Sequence, residues 1–425
     1  MLDLKAIRED PEPFRSALAR RGEDLASDVD RLLETDRRWR ELTMRVEELR
    51  SEQNRGSKEV GKASGEERDR LIAELRKVSE ELGKLEPELG SAEEELQSLA
   101  LRLPNPPHES VPEGETDDDN ELVREVGAPP SFPFDPKDHV ELGQGLGVID
   151  LERAARTSGA RFAYLLGGAV WAQWALVRYC LDFLTARGFL PVVPPVLVRE
   201  ESMYGTGFLP TDEAQLYVTR EDDLYLVGTS EVALAALHQG EILDQEGLPR
   251  RYVGYSTCFR REAGAHGKDT RGIFRVHQFD KVEMFSFCDP GASWDEHEFL
   301  LSCEEELISG LGLAYRVMNV CTGELGASAA KKYDIEVWLP GEGRYRELTS
   351  CSNTTDYQAR RLEVRARYPD ANRHVHTLNG TACAVGRTLI ALLENYQDEG
   401  GSVTLPEALQ SYLPPDQWTL RPQGT

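Results

Sequence analysis

The chain has 425 residues, with 49 lysines and arginines against 75 aspartates and glutamates, a formal net charge of -26. So acidic a balance excludes sequence-independent coating of nucleic acid and leaves room only for a local basic site. The length predicts two or three folding units, and no apolar run approaches a membrane span.

The N-terminus, MLDLKAIREDPEPF, mixes acids with bases and has no apolar core, so no signal or transit peptide is expected. The cysteines (Cys180, Cys258, Cys288, Cys303, Cys321, Cys351 and Cys383) are odd in number and show no CxxC spacing. They read as buried or free thiols in a reducing cytoplasm, with neither a disulfide frame nor zinc expected.

Residues 1–26 read as a short helical cap. Leu32, Thr35, Trp39, Leu42, Val46 and Leu49 then follow the three-and-four spacing of a coiled-coil seam. A polar stretch, 54–68, interrupts it, and the seam resumes from Leu71 through Leu82 and Leu96 to Leu99. Two seams joined by a glycine-containing loop predict an antiparallel helical hairpin over about 27–100, each helix about 45 Å long. Pro87 falls inside the second seam, and a kink or break is expected there. Such a hairpin could be a dimerisation strut, a spacer or an arm for a large ligand. Its basic residues, Arg37, Arg38, Arg45 and Arg50 among them, suit phosphate contacts and surface ion pairing equally.

Residues 104–134 are proline-rich and acidic and read as a linker. From about 135 the composition is that of a globular enzyme. Phe162–Gly188 predicts a long apolar-faced helix ended by glycine, followed by the extended segment Phe189–Pro195. In 223–237, a strand leads through Thr229-Ser230-Glu231 into an apolar helix; taken alone, this is an ordinary helix cap.

The following stretch reverses the overall charge. Between Arg250 and Lys281 lie eight basic residues against Glu262, Asp269 and Asp280. The flanks are rich in β-formers, and the middle, Ala263–Gly272, holds three glycines, so a strand, a loop and a second strand are predicted. Arginines on paired strands match phosphate oxygens two at a time, while Glu262 and Glu283 suit an amine in the same cleft. A solvated basic hairpin is the plain alternative. Beyond it, Tyr333–Leu339 alternates as a strand, and a Pro-Gly turn leads to a second strand through Glu347 and Ser350. Glu-x-x-Ser suits Mg2+ bridging phosphates, although two oxygens alone are a weak signal. Finally, 376–397 predicts strand, tight turn and helix, with Arg387 at a helix start where the dipole also favours an anion.

Phe259-Arg260-x-Glu262, then Gly272-Ile-Phe-Arg275-Val-His-Gln-Phe279-x-Lys281-Val-Glu283, resembles motif 2 of class II aminoacyl-tRNA synthetases. The surrounding wording is similar to that of bacterial seryl-tRNA synthetases. The helix and Pro-rich segment around 162–195 resemble motif 1, and Ala-Val-Gly386-Arg387 resembles motif 3.

The resemblance implies an α+β fold: a mostly antiparallel sheet flanked by helices, preceded by a coiled-coil arm. It divides the chain into a tRNA-binding domain (1–103), the linker and a catalytic domain (135–425). It further implies a cytoplasmic homodimer, with no DNA or membrane partner, that joins L-serine to tRNA(Ser) through seryl-adenylate and also charges tRNA(Sec). ATP is the co-substrate, with Mg2+ at Glu347 and Ser350. By the same resemblance, Arg260 clamps the α-phosphate and the serine carboxylate. Glu262 reads the adenine amino group, Phe279 stacks on the ring and Arg387 holds the γ-phosphate. Arg271, Arg275, Val276, Leu348 and Thr349 complete the ATP contacts. Thr229 and Glu231 hold the ammonium group; Glu283 and Thr381 read the hydroxyl. Glu283→Ala is then expected to abolish serine selection with the fold intact. Arg261 and His266 depart from the family pattern in the motif 2 loop. An amino acid:carrier-protein ligase of the same lineage is the alternative enzyme, but such ligases lack the long arm. A structural coiled-coil protein would be favoured by loss of Arg260, Glu283 or Arg387, and all three are present.

Overall fold

A computed structural model describes residues 1–264, 269 and 271–422. The chain divides into two compact units, Met1–Pro104 and Asn105–Thr425.

In the first unit, helices α1 (Glu23–Val60) and α2 (Glu66–Arg102) run antiparallel. They contain 38 and 37 residues, and each reaches about 55 Å at 1.5 Å per residue. They are longer than expected because α1 continues through the polar stretch to Val60, leaving only 61–65 for the turn. The seam buries Val46 and Leu49 against Val78 and Leu82. Near the tip the helices approach closely: a Cβ on Gly56 would stand 2.6 Å from Leu75 Cδ2. Arg45 and Arg50 pair across the hairpin with Glu81 and Glu86, at 2.7 Å each. These pairs are exposed and add little stability. The helix does not break at Pro87, which lies inside α2. Leu85 and Leu89, on either side of it, pack against the seam cluster and carry the helix through.

The second unit is built on an eight-stranded sheet. Its strands are β1 (Glu121–Val126), β2 (Leu190–Val192), β3 (Arg250–Phe259), β4 (Gln278–Cys288), β5 (Tyr315–Asn319), β6 (Lys331–Leu339), β7 (Arg344–Asn353) and β8 (His376–Ala384). Their order is β1-β5-β6-β7-β8-β4-β3-β2. All neighbours are antiparallel except β2 and β3. The proline-rich 104–134 stretch thus does more than link: its β1 forms the sheet edge, and the Asn105 amide donates to the Ser328 and Thr354 carbonyls.

Strand β4 shows how sequence period places the two faces. Val282 and Met284 enter the main core, shared with Leu176, Leu300 and Leu389 of helices α3 (Gly168–Thr185), α4 (Ser293–Gly310) and α5 (Val385–Asn395). Phe285 and Phe287 point the other way, into a second apolar cluster with Leu234 and Leu362. Phe279, Lys281 and Glu283 share that second face where it lies open as a cavity. Helix α3 begins at Gly168, later than expected, because Tyr164–Leu165 forms a short strand with Ile149–Asp150. All seven cysteines are buried thiols. No helix among the described residues is long and apolar enough to cross a membrane.

Candidate functional site

The open face of the sheet holds a cavity of about 410 Å³, within the usual range for small-molecule sites. One end is acidic. A bulge between Val282 and Glu283 sets Glu283 opposite Thr381 in the β4–β8 register. Thr381 Oγ1 lies 3.4 Å from Glu283 Oε2, and Lys281 Nζ lies 2.6 Å from the same oxygen. Nearby, Thr229 Oγ1 accepts the Glu231 amide at 3.2 Å. Two amides reach the buried Glu231 carboxylate: Gln358 Nε2 at 2.8 Å and Asn379 Nδ2 at 3.0 Å. Burial and then the neighbouring Glu283 charge push the Glu231 carboxyl up to about 7; Gln358, Lys281 and Arg260 act in the opposite direction.

The other end is cationic. Arg260 follows β3; its Nε donates to Gly228 O at 3.1 Å and its guanidinium stands 5.4 Å from the Phe279 ring centroid. Arg387, in the first turn of α5, donates to the Glu347 carbonyl at 3.1 Å and pairs with the Glu347 carboxylate at 3.2 Å. The Phe274 ring carries the Arg387 and Arg346 guanidiniums at 4.6 and 3.9 Å. Glu347 is held down to about 2: burial alone would raise it, but Arg387, Lys332 and Arg260 outweigh that.

These residues offer a hard-oxygen donor set. The ionised Glu347 carboxylate and the Ser350 hydroxyl share the cavity wall. Mg2+ takes few protein ligands and keeps waters, so this pair fits it where phosphates supply the remaining oxygens.

The expected site residues sort into two groups. Arg260, Glu262, Arg275, Val276, Phe279, Glu283, Thr229, Glu231, Glu347, Leu348, Thr349, Ser350, Thr381 and Arg387 all line the cavity. Within that group, Glu262 and Arg275 pair with each other at 2.7 Å, and the Thr349 hydroxyl is committed to buried Glu304 at 2.8 Å. Arg271 stands apart, exposed and paired with Asp138. His266 lies outside the described residues. Arg261 is described: its backbone N–H donates to Gln215 O, and its side chain is exposed.

Lys281, Asn379 and Gln358 were missed. Lys281 sits two residues before Glu283 and Asn379 two before Thr381, so the strand period could have found both. Gln358 gives no sequence signal.

Antiparallel sheet, helices behind it and this two-ended cavity together define a class II tRNA synthetase catalytic core. Residues 216–396 match the model of the tRNA synthetase class II core domain (G, H, P, S and T). Residues 1–107 match the seryl-tRNA synthetase N-terminal domain. A serine–tRNA ligase of Acidothermus cellulolyticus is 48% identical, with 100% of each chain covered. One of Thermobifida fusca is 49% identical, with 98% of each covered. A crystal structure of seryl-tRNA synthetase from Pyrococcus horikoshii complexed with ATP superposes with a TM-score of 0.92 at 43% identity, covering 99% of this chain and 100% of that one. The chain belongs to the seryl-tRNA synthetase family.

Proposed function

We propose that this cavity joins L-serine to ATP and that the chain then passes serine to the 3′ end of tRNA(Ser), with tRNA(Sec) as a second acceptor. The serine carboxylate attacks the α-phosphorus, the bond to the β-phosphate oxygen breaks, and pyrophosphate leaves. The carboxylate is already ionised, so the step needs no general base. Catalysis is positioning and charge stabilisation. The observation that carries this reading is the buried Glu283–Thr381 pair next to Glu231, in one cavity with Arg260, Phe279 and Arg387.

In this reading Arg260 bridges the α-phosphate and the serine carboxylate. Phe279, whose ring centroid lies 5.4 Å from the Arg260 guanidinium, stacks on adenine. Arg387 receives the γ-phosphate at the start of α5. Bound Mg2+ would neutralise phosphate charge beside Glu347 and Ser350. Glu262, paired with Arg275 through one carboxylate oxygen, reads the adenine amino group, and Arg275 contacts phosphate. Residues 1–103 form the tRNA-binding part and 135–425 the catalytic part, with 104–134 connecting them. The working form is a cytoplasmic homodimer. Its interface is the motif 1 face, where Trp171 and Trp174 are each 49% exposed and Val193 83%.

ATP–pyrophosphate exchange with single amino acids, tRNA absent, tests this directly. Exchange with serine alone is expected; exchange with a different amino acid instead overturns Glu283 and Thr381 as hydroxyl readers. Arg260→Ala should lower the rate of serine-dependent exchange about 100- to 1,000-fold, the usual effect of removing one oxyanion donor. A loss below tenfold would remove Arg260 from the reacting centre.

The exchange reaction should also report Glu231. Its carboxylate must be ionised to accept an ammonium group, and it titrates near 7. Lowering pH through that value protonates it, so KM for serine should rise while KM for ATP, set by the cationic end, stays level. A flat serine KM between about pH 8 and about pH 6 would exclude Glu231 as the ammonium acceptor.

A further inference from the structure

Gln358 lies in the short helix Tyr357–Arg361 and is completely buried. Its amide is fully engaged. Nε2 donates to Glu231 Oε1 at 2.8 Å and to the Thr206 carbonyl at 3.2 Å, and Oε1 accepts from Thr377 Oγ1 at 3.0 Å. The orientation is unambiguous: Thr206 O and the Glu231 carboxylate are both acceptors, so only the NH2 end can face them. Thr377 is held in turn by Thr354, whose hydroxyl donates to Thr377 O at 2.7 Å.

On the other side of Glu231, Asn379 Nδ2 donates to the same oxygen, Oε1. Among the described residues no hydrogen bond reaches Oε2, and Glu231 lines the cavity. A buried carboxylate with one oxygen saturated by amides and the other bare has a defined direction for an incoming cation. Donation to the charged form also offsets burial, which alone favours the neutral acid.

We propose that Gln358 is a positioning residue for the amino-acid subsite: pinned by Thr377 and the Thr206 carbonyl, it holds Glu231 by Oε1 and turns Oε2 toward the substrate ammonium group. The inference rests on reading the cavity as the serine-activating site. Gln358 touches no reacting atom in this account. It acts through Glu231, so its loss should weaken serine binding and spare ATP.

The test is serine-dependent ATP–pyrophosphate exchange by the full chain, with Gln358→Met, Gln358→Glu, Thr377→Val and Thr377→Ser. Gln358→Met removes the donors at similar volume; KM for serine should rise about 10- to 100-fold, the worth of a hydrogen bond to a charged group, with KM for ATP within about twofold. Gln358→Glu sets two carboxyls together that must share a proton. Glu283, Lys281 and Arg260 face Glu231 in both proteins, so the difference between them reports the new carboxyl. In that variant KM for serine should fall as pH drops from about 8 to about 6.5, opposite to the unaltered chain, because the shared proton restores a donor. Thr377→Val unpins the amide and should raise KM for serine, and Thr377→Ser should restore it.

A folded Gln358→Met variant whose KM for serine stays within about twofold overturns the inference, as does an equal rise in KM for ATP. If the Gln358 variants do not fold, an unchanged KM for serine in Thr377→Val overturns it on its own. Absence of serine-dependent exchange in the unaltered chain overturns the reading of the cavity, and this inference with it.

Discussion

Deletion of residues 37–94 is expected to leave serine-dependent exchange within about twofold of the intact chain and to lower charging of tRNA about 1,000-fold, the scale set by losing several phosphate contacts. The hairpin permits a clean cut. Gln53 Nε2 bonds Ser79 Oγ at 2.9 Å, and that register sets the two cut ends opposite one another, so a short turn can rejoin them. Exchange needs only the sheet cavity, all of whose wall residues belong to the second unit. Duplex RNA is recognised through shape and backbone, which a long paired helix can track. Unchanged charging by the shortened chain would make the hairpin a strut. Loss of exchange as well would show that the first unit supports the fold of the second.

Glu283→Ala is expected to reduce serine-dependent exchange about 10- to 100-fold, the worth of a hydrogen bond to a charged group. The tertiary structure alters one expectation. Glu283 is also the buried partner of Lys281, at 2.6 Å, with only 9% and 2% of the two side chains exposed. Removing it strands a buried ammonium group, so Glu283→Ala should lose about 3–5 kcal/mol of stability in denaturant unfolding. Adding Lys281→Met should restore most of that stability and none of the exchange. If the double variant regains serine-dependent exchange, Glu283 serves Lys281 and not the substrate. Unchanged stability in the single variant would mean that Lys281 finds another acceptor or loses its proton.

The hairpin and the sheet strands were legible because both are periodic. Leu and Val at threes and fours, and alternation across Tyr333–Leu339, are local signals that need no partner to be read. Boundaries were less legible. The polar end of α1 carries no apolar period, yet the helix runs on to Val60 because the facing helix supplies Leu75 against Gly56. Pro87 is expected to interrupt α2 and does not, since Leu85 and Leu89 on either side of it pack against the hairpin seam. The stretch 104–134 reads as a linker from composition, and its strand exists only because β5 lies beside it.

By itself the sequence nominated residues for the chemistry. Arg260, Glu283, Glu347 and Arg387 stand in motifs whose spacing places them on strands, at strand ends or at a helix start. Only the tertiary structure decided which groups meet. It brought Thr381 to Glu283 through a bulge, set Arg271 outside the cavity against Asp138, and tied Glu262 to Arg275. It also delivered Gln358 to Glu231, from 127 positions away in the chain. A hydrogen bond across that separation leaves no trace in local composition or period. The amide is held there by Thr206 and Thr377, which arrive on separate elements, and only folding brings the three together.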